Sequence, residues 1–457
     1  MMPLLTHAAD TFGGTLVNPG AHFRRVCIDS RQAQDGDLFV ALQGENHDAH
    51  DFIPLVADKI AAAVVSHPDK HRPITQWVVP DTTQALGWLA QLRRTVFFGP
   101  VIAITGSSGK TSVKEFIAAI LNLGGRTHAT QGNYNNQIGL PLTVLSCPDD
   151  ADYLVLEMGA RASGDIDHLC TIARPDITLV NNIQSAHIAS FGSLQGTASA
   201  KSEIYQNLPD EGTAVLNRDL PYFEAWREQI GKRHFLTFSM VHDDADLFAD
   251  ALEVDDHGCY CFVLRVGSRL ENAGRWPVIL TIPGRHTVAN ALAAAACAMA
   301  AGAQIWHVVT GLGALKPLAG RLQGRPLVSG SWLIDDTYNA SPESVKAAVD
   351  VLVARKGRRV LVLGDMAELG ADAQKMHCSV GDYARLAGVD ELLTLGTMSA
   401  YASGIFGGKH FDTLDDLSRH LRDLEGGSVA TFLVKGSRSS AMERVVKVLE
   451  QGVMPSC

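Results

Sequence analysis

The sequence predicts an α/β protein with three domains: a small N-terminal α/β domain, a central P-loop mononucleotide-binding domain and a C-terminal Rossmann-like domain. Its 457 residues suffice for roughly three domains of ordinary size. From Val101 onward, short apolar runs alternate with amphipathic segments, a pattern that favours parallel strands connected by helices. Between the first of these runs and its helix lies a turn rich in Gly and Ser, which is typical of a phosphate-binding loop.

The N-terminal domain is predicted to span residues 1–98. Short apolar runs predict strands at 26–28, 38–42, 62–65 and 77–79, and a helix is predicted from about 83 to 94. Gly99 and Pro100 mark the hinge into the next domain, because both residue types interrupt regular structure.

The central domain is predicted to span residues 99–314. After the strand that begins at Val101, further parallel strands are predicted at 153–156, 177–180 and 214–216. Three apolar runs at 234–238, 260–266 and 278–282 follow without an obvious helix between them, so we expect an antiparallel extension of the sheet. An Ala-rich helix from about 287 to 301 closes the domain and is too short to span a bilayer.

The C-terminal domain is predicted to span residues 315–457 and to follow a linker at 316–321. Apolar runs at 333–334, 360–363, 391–395 and 431–434 alternate with helical segments, as in a Rossmann-like unit.

Composition excludes several classes of protein. The formal net charge of −10 argues against broad electrostatic binding to nucleic acid. No apolar run approaches the length of about 20 residues that a membrane span requires, and the first residues lack the pattern of a signal peptide. The eight cysteines are scattered without a C-x-x-C pair, so we expect reduced thiols in a cytoplasmic protein.

The loop at 105–111 is the strongest candidate site. Gly106 and Gly109 would let backbone N–H groups approach phosphate oxygens at a helix N-terminus. The Lys110 side chain can reach the terminal phosphates, and the Thr111 hydroxyl can ligate Mg²⁺. Ile104 stands where the longer P-loop pattern has its first Gly, so the loop has the shorter T-G-x-x-G-K-T form. An ordinary Gly-rich strand-to-helix turn is the structural alternative. The candidate nucleotide-binding residues here are Thr105, Gly106, Ser107, Ser108, Gly109, Lys110 and Thr111.

Three further side chains are candidates for metal binding or catalysis beside this loop. Glu157 follows a predicted parallel strand, at the end where such sheets bind ligands, and a carboxylate beside a P-loop suits Mg²⁺. His187 is either a ligand or a structural histidine. Lys201 as an ammonium ion would repel Mg²⁺ at ~4 Å by about 8 kcal/mol at an effective dielectric constant of ~20, so it fits beside a metal only if its charge is removed or reversed, as in a carbamate.

Polar clusters elsewhere suggest substrate contacts. Asn133, Asn135 and Asn136 suit hydrogen bonding to a polar ligand, or alternatively a turn that uses Asn in the left-handed region. Ser341 or Asn339 is predicted to cap a helix that begins at Pro342, which leaves Asp335 and Asp336 free for ribose hydroxyls. Lys435 and Arg438 stand near a helix N-terminus, where cations are unfavourable unless an anion binds there.

Together these pieces resemble the ATP-dependent Mur ligases of peptidoglycan synthesis over almost the whole chain. The short phosphate loop is the family's own form. Matching landmarks are Glu157-Met158-Gly159, Asn182, His187, Ala200-Lys201-Ser202-Glu203 and Asn290. Subtype markers are the segments 132–136, 335–340, 364–370 and 435–438, and no D-N-P-R run is present. The resemblance implies a ligase that joins D-alanyl-D-alanine to UDP-MurNAc-tripeptide through an acyl phosphate, with ATP and Mg²⁺ as cofactors.

The family match also implies roles for individual residues. It places Thr111 and Glu157 at one Mg²⁺, His187 and carbamylated Lys201 at a second, and Lys110 at the phosphates, so that Lys110, Glu157, His187 and Lys201 are the expected catalytic set. Asn290 is expected near adenine, Arg321 at the phosphates and Asp336 at ribose. Ser30 and Arg31 are expected at the uridine nucleotide, and Asn339, Ala340 and Ser341 at the dipeptide. We expect a monomer whose catalysis requires domain closure.

Other functions remain possible at this point. A different amide ligase of the same superfamily, such as a folylpolyglutamate-type enzyme, would share the P-loop but not the N-terminal domain. A non-catalytic nucleotide-binding or regulatory protein would not need Lys110, Glu157, His187 and Lys201 together. A P-loop kinase would leave the third domain without an obvious role.

Overall fold

A computed structural model of the protein describes residues 4–69, 71–184 and 191–451, which form three domains, each built on its own sheet. The α/β class and the three-domain organisation predicted from the sequence are confirmed. Among the described residues, no helix is long and apolar enough to cross a membrane.

The N-terminal sheet has five strands in the order β1-β5-β4-β3-β2. Strands β2 to β5 pair in parallel, and β1 joins the edge antiparallel to β5. The strands are β1 Thr15–Val17, β2 Arg25–Cys27, β3 Asp37–Val40, β4 Ile60–Val65 and β5 Thr75–Val78. The helices are Leu5–Phe12, Ile53–Val56 and Thr82–Thr95, with 3-10 turns at Ser30–Gln32 and Ala49–Phe52. Asp81 caps the longest helix by accepting hydrogen bonds from the N–H groups of Thr83 and Gln84.

The central sheet has nine strands in the order β14-β13-β12-β11-β10-β9-β6-β8-β7. The strands are β6 Val101–Thr105, β7 Thr127–Ala129, β8 Tyr153–Glu157, β9 Ile177–Val180, β10 Thr213–Asn217, β11 His234–Ser239, β12 Leu247–Val254, β13 Cys259–Val266 and β14 Gly274–Pro283. The helices are Lys110–Leu121, Gly139–Leu145, Asp165–Ala173, Leu194–Gln206, Phe223–Ile230, Arg285–Ala300 and Ile305–Ala314. Strand β6, which leads into the phosphate loop, lies between β8 and β9 and is fully buried.

The predicted antiparallel extension is partly wrong. Strand β11 pairs in parallel with β10, because the helix Phe223–Ile230 crosses between them. Strand β12, which the sequence did not suggest, pairs in parallel with β11 and antiparallel with β13. Only β12, β13 and β14 form the antiparallel ladder. The half-polar run Leu247–Val254 lacks a continuous apolar signal, because much of its surface stays accessible to solvent.

The Ala-rich helix Arg285–Ala300 is a core helix. Its side chains from Ala291 to Ala298 are fully buried and share one apolar cluster with the phosphate-loop helix Lys110–Leu121. Small side chains permit this close approach, which holds the phosphate loop on a rigid base.

The C-terminal sheet has six strands in the order β15-β16-β20-β17-β18-β19, all parallel except the edge strand β15. The strands are β15 Gln323–Pro326, β16 Trp332–Asp336, β17 Arg358–Gly364, β18 Glu391–Leu395, β19 Lys409–Phe411 and β20 Ala430–Lys435. The helices are Pro342–Val353, Ala373–Ala387, Ser399–Phe406, Leu414–Gly427 and Glu443–Gln451, with 3-10 turns at Gly370–Asp372 and Arg438–Ser440. The predicted cap is confirmed, since the Ser341 hydroxyl accepts from the N–H of Ser344 and Pro342 occupies the first turn.

The packing of Gly311 allows a test of this rigid base. A Cβ at Gly311 would lie 2.6 Å from Cα of Ile120 on the phosphate-loop helix, so we expect Gly311→Ala to lower the free energy of unfolding by about 1–3 kcal/mol. Gly404→Ala is the matched control, because that helical glycine has no neighbour within 4 Å and should be neutral or stabilise by up to about 1 kcal/mol. Urea unfolding measures both, and equal effects would contradict the packing.

Candidate active site

A cavity of about 1470 Å³ lies between the central and C-terminal domains. Its central wall comes from the phosphate loop and from residues that follow β8 and β9, and its other wall from residues that follow β16 and β20. Ligands of parallel sheets bind at these carboxyl ends. The cavity is therefore the candidate active site.

The phosphate loop is shaped by close contacts that only glycine permits. Gly106 has φ +151° and Gly109 has φ +74°. A Cβ at Gly109 would lie 2.7 Å from Oδ1 of Asn290, and one at Gly106 would lie 3.1 Å from Cβ of Asn181. The loop is therefore compressed between β9 and the helix Arg285–Ala300, as close backbone approach to a phosphate requires.

Two asparagines that follow β9 hold this loop by hydrogen bonds. The carbonyl of Asn182 accepts from the N–H of Ser107 at 3.0 Å, and its side-chain Oδ1 accepts from the N–H of Ser108 at 2.9 Å. Asn181 Nδ2 donates to Oδ1 of Asn290 at 2.9 Å and to the carbonyl of Ser108 at 3.1 Å. Asn290 thus lies against the loop at Gly109 and is linked to it through Asn181, which donates to both Asn290 and Ser108.

Lys110 opens the helix that follows the loop. Its Nζ donates to the carbonyl of Gly106 at 2.9 Å, so the ammonium lies over the loop. Burial lowers the pKa of Lys110, the charge of Glu157 opposes that shift, and the charge of Arg321 adds to it. Such a position suits a cation that interacts with terminal phosphates.

Glu157 lies at the centre of a small hydrogen-bond network. The hydroxyl of Thr111 donates to Oε2 of Glu157 at 2.9 Å, and Asn135 Nδ2 donates to Oε1 at 2.8 Å. Arg321 Nη2 donates to the same Thr111 hydroxyl at 3.0 Å. The carboxylate is nearly fully buried, so these contacts fix its orientation at the edge of the loop.

Lys201 is buried on the helix Leu194–Gln206 and lines the same cavity. Its side chain is only 1% exposed, and its Nζ lies 5.9 Å from the ring centre of Phe191. Burial lowers the pKa of Lys201 to about 7, and the charge of Lys110 acts in the same direction. A substantial fraction of this amine is therefore neutral near pH 7.

The helix cap leaves Asp335 and Asp336 unused, as predicted, but both carboxylates have other partners within the protein. Asp335 accepts from the backbone N–H and hydroxyl of Thr337. Asp336 accepts from the N–H of Leu322 at 3.1 Å and forms an ion pair with Lys435 Nζ at 2.5 Å. Strands β16 and β20 place Asp336 and Lys435 side by side in parallel register, which explains the pair.

The same pair corrects the interpretation of the two cations near the helix N-terminus. Lys435 is buried, and its anion is a side chain of the protein itself. Its Nζ also donates to the carbonyl of Asn339 at 2.8 Å. Only Arg438, whose side chain is 72% exposed, remains available to a ligand, although it lies 3.5 Å from Glu443.

The predicted substrate residues divide into two groups. Those that line the cavity are Asn133, Asn135, Asn136, Asn339, Ala340 and Ser341. Asn136 also has a structural role, because its Oδ1 accepts from the N–H of Gly139 at 2.9 Å. Ser30 and Arg31 lie in the N-terminal domain and do not line the cavity; Arg31 pairs with Asp29 at 2.7 Å.

His187 lies outside the described residues. Within the described ranges, no group of three or more His, Cys, Asp and Glu side chains could hold a metal ion. The oxygen atoms of Thr111 and Glu157 nevertheless form a hard-ligand pair beside the phosphate loop, and oxygen ligands are those that Mg²⁺ prefers.

Two residues of the cavity were missed by the sequence reasoning. The Tyr338 ring lies 4.0 Å from the guanidinium carbon of Arg321 and supports it by a cation–π contact. His286 lies at the start of the helix Arg285–Ala300, where it lines the cavity. The position of Tyr338 beside the predicted Asp336 was a usable signal for the first, whereas no motif marked the second.

A glycine-bounded phosphate loop, a buried carboxylate at its edge and a facing Rossmann-like domain define a multidomain P-loop nucleotide enzyme. Two family models match the chain: the Mur ligase middle domain over residues 104–298, and the Mur ligase glutamate ligase domain over residues 320–438. The UDP-N-acetylmuramoyl-tripeptide–D-alanyl-D-alanine ligase of Escherichia coli K12 is 43% identical over 453 residues, which cover 98% of each chain. This protein belongs to the Mur ligase family.

Solved structures agree with that assignment. A crystal structure of MurF from Acinetobacter baumannii superposes with a TM-score of 0.92 at 33% identity and covers 99% of each chain. MurF ligase from Thermotoga maritima in complex with ADP gives a TM-score of 0.82 at 27% identity, covering 94% of this chain and 97% of that chain.

The ion pair between Lys435 and Asp336 yields a stability prediction. We expect Lys435→Met to destabilise the protein by about 3–5 kcal/mol, because the Asp336 carboxylate would lose its cation in a largely buried position. Arg438→Met, at an exposed cation in the turn that follows β20, should change stability by less than about 0.5 kcal/mol. Urea unfolding followed by circular dichroism measures both, and equally stable variants would refute the pairing.

Proposed function

We propose that this protein is the ATP-dependent ligase that adds D-alanyl-D-alanine to UDP-N-acetylmuramoyl-tripeptide in peptidoglycan synthesis, and that the reaction occurs in the interdomain cavity. The assignment of the activity rests on the relatives of that name. The location of the reaction is inferred from the hydrogen-bond network of Thr111, Glu157 and Arg321. In this network the phosphate loop, the end of β8 and the interdomain linker meet. The fold of the Thermotoga maritima relative, described in complex with ADP, supports a nucleotide at this loop.

The chemistry has two steps. An oxygen of the tripeptide carboxylate attacks the γ-phosphorus of ATP, so that a new O–P bond forms as the bond to ADP breaks. The amine of the dipeptide then attacks the acyl carbon, loses a proton and forms the C–N bond, while inorganic phosphate leaves with the C–O bond electrons. Both steps concentrate negative charge at the phosphoryl group, and the cations Lys110 and Arg321 lie where they can stabilise it.

Thr111 and Glu157 are the residues that we propose for one Mg²⁺. Their oxygens are 2.9 Å apart, the carboxylate is buried, and Asn135 fixes its second oxygen. When bound, Mg²⁺ would neutralise charge on the β- and γ-phosphates. His187 and Lys201 are proposed for a second Mg²⁺, as the family resemblance implies.

Lys201 could lie beside a metal only if its positive charge is removed or reversed, and its surroundings favour both changes. A carbamate forms when a neutral amine adds to CO₂ and releases a proton. Because burial beside Lys110 brings the pKa of Lys201 to about 7, the reactive neutral amine is available near neutral pH. The carbamate replaces a buried cation by an anion, which the nearby ammonium of Lys110 and a bound metal ion would both stabilise.

The remaining ligand roles are proposed from the family match and the cavity. Asn290 is proposed near adenine and Asp336 at ribose. A carboxylate offers about four acceptor positions, so Asp336 can bind ribose hydroxyls while it keeps Leu322 and Lys435. Asn133, Asn135 and Asn136 are proposed to contact the tripeptide, Asn339, Ala340 and Ser341 the dipeptide, and Ser30 and Arg31 the uridine nucleotide.

We also propose a cytoplasmic location and a monomeric state. The seven described cysteines are all free thiols, as expected in a reducing compartment. Residues of a single chain supply both walls of the cavity, so no second copy is needed to complete it.

The proposed reaction predicts strict substrate dependence. With purified protein, ATP and Mg²⁺, we expect release of phosphate only when UDP-MurNAc-tripeptide is present, and formation of the pentapeptide product only when D-alanyl-D-alanine is added too. A coupled phosphate assay and mass spectrometry measure these two outcomes. L-alanyl-L-alanine is the control, and absence of a D-alanyl-D-alanine adduct in the complete mixture would refute the assignment.

The proposed carbamate predicts chemical rescue. Lys201→Ala should lose most activity, at least about 100-fold, because a charge-stabilising group is removed from the reaction site. Short carboxylic acids such as acetate should restore part of it by occupying the space of the carbamate. Lys232→Ala, at an exposed position of the same domain, should retain activity and show no response to acetate. Unchanged activity of Lys201→Ala without added acid would exclude the role.

A further inference from the structure

We propose that Arg438 binds the terminal carboxylate of the incoming dipeptide and is therefore a specificity-determining residue. This inference rests on the proposed function, because it names the group that selects the second substrate of the reaction. It follows from the distribution of cations in the cavity and from the structure of the turn that carries Arg438.

Most of the cations that line the cavity either have a partner within the protein or lie away from the C-terminal wall. Lys110 lies over the phosphate loop, and Lys201 is buried beside Phe191. Arg321 is bound to Thr111, and Lys435 is bound to Asp336. Among the lining Lys and Arg side chains of the described residues, this leaves Arg161 on the central wall and Arg438 on the C-terminal wall.

The length of the dipeptide favours a carboxylate partner on the C-terminal wall of the cavity. Its amine must reach the acyl phosphate at the phosphate loop, and its carboxylate lies at most about 7 Å away, the extended length of two residues. The carboxylate therefore stays inside the same cavity. Since the central wall holds the phosphate loop and the acyl group, the dipeptide enters from the opposite wall, where Arg438 is the exposed cation.

The turn that carries Arg438 is rigid and rich in hydroxyl groups. Directly after β20, the N–H of Ser437 and the hydroxyl of Ser440 both donate to the carbonyl of Asp365 at 2.9 Å. The turn is thus attached to the end of β17. Ser439 lines the cavity beside Arg438, and its hydroxyl lies 3.1 Å from that of Ser437. A guanidinium carried by an anchored turn, with a neighbouring hydroxyl, is a suitable receptor for a carboxylate.

The contact of Arg438 with Glu443 does not exclude this role. The two groups are 3.5 Å apart, beyond the distance of a strong charge-assisted hydrogen bond, and the guanidinium remains largely exposed. A guanidinium has five N–H donors in a planar fork, so it can bind a ligand carboxylate in bidentate fashion while it keeps a weak contact with Glu443.

A neutral substrate analogue tests the proposal directly. D-Alanyl-D-alaninamide keeps the amine and both side chains but lacks the terminal charge. The native protein should show a KM for this amide about 10- to 100-fold higher than for D-alanyl-D-alanine. In Arg438→Gln, the KM for the acid should rise by about the same factor, so that the preference for acid over amide disappears. Arg438→Lys should retain part of the preference, because it keeps the charge without the fork.

Matched variants separate this role from others. In Arg438→Gln the KM values for ATP and UDP-MurNAc-tripeptide should stay within about two-fold of native values, and Arg422→Gln, at an exposed arginine of the same domain, should change none of them. If Arg161→Gln abolishes the preference for acid over amide while Arg438→Gln keeps it, the proposal is overturned. Failure of the native protein to join D-alanyl-D-alanine would instead refute the proposed function, so the two failures are distinguishable.

Discussion

The active site depends on one steric constraint, the compression of the phosphate loop between β9 and the helix Arg285–Ala300. At Gly109 the side chains of Asn181 and Asn290 approach so closely that a Cβ would displace them, and the φ of +74° would strain any other residue. These contacts exist because the alanine-rich helix lies against the phosphate-loop helix with small side chains between them. Nucleotide binding by this loop is thus a consequence of core packing.

Electrostatics then determines what the cavity can hold. Its cations outnumber its unpaired acidic groups at the phosphate loop, where Lys110 and Arg321 lie near the single buried carboxylate of Glu157. On the opposite wall, the charge of Lys435 is neutralised internally by Asp336. Positive charge is therefore in excess where a triphosphate would lie, and Arg438 is the exposed arginine on the other wall among the described residues that line the cavity. This asymmetry suits one highly charged and one singly charged substrate.

Local sequence patterns predicted much of the fold and of the active site. Contacts between segments that are distant in the sequence were not predicted. The phosphate loop, Glu157 and the helix cap at Ser341 each depend on residues close in sequence, and the structure agrees with the local features predicted for them. The ion pair between Asp336 and Lys435 joins residues 99 positions apart, and it follows from the adjacency of β16 and β20, which no local pattern encodes. Strand β12 escaped for another reason: its face is half exposed, so its apolar periodicity is weak. The contact of Arg321 with Tyr338 also joins separate segments, although the position of Tyr338 beside Asp336 was a usable signal for it.

The linker between the central and C-terminal domains contacts both the phosphate loop and the residues that follow β16. Arg321 donates to Thr111 of the phosphate loop and stacks on Tyr338, while the next residue, Leu322, donates its N–H to Asp336. Leu322 has φ +49°, an uncommon conformation for a branched side chain, and the surrounding contacts maintain it. A rotation of the C-terminal domain therefore moves Asp336, Tyr338 and Arg321 together relative to Thr111. Because Thr111 also donates to Glu157, the orientation of that carboxylate is coupled to the position of the third domain. These contacts link the domain that we propose for the second substrate to the site that we propose for activation of the first. We therefore infer that domain closure and phosphoryl transfer are coupled.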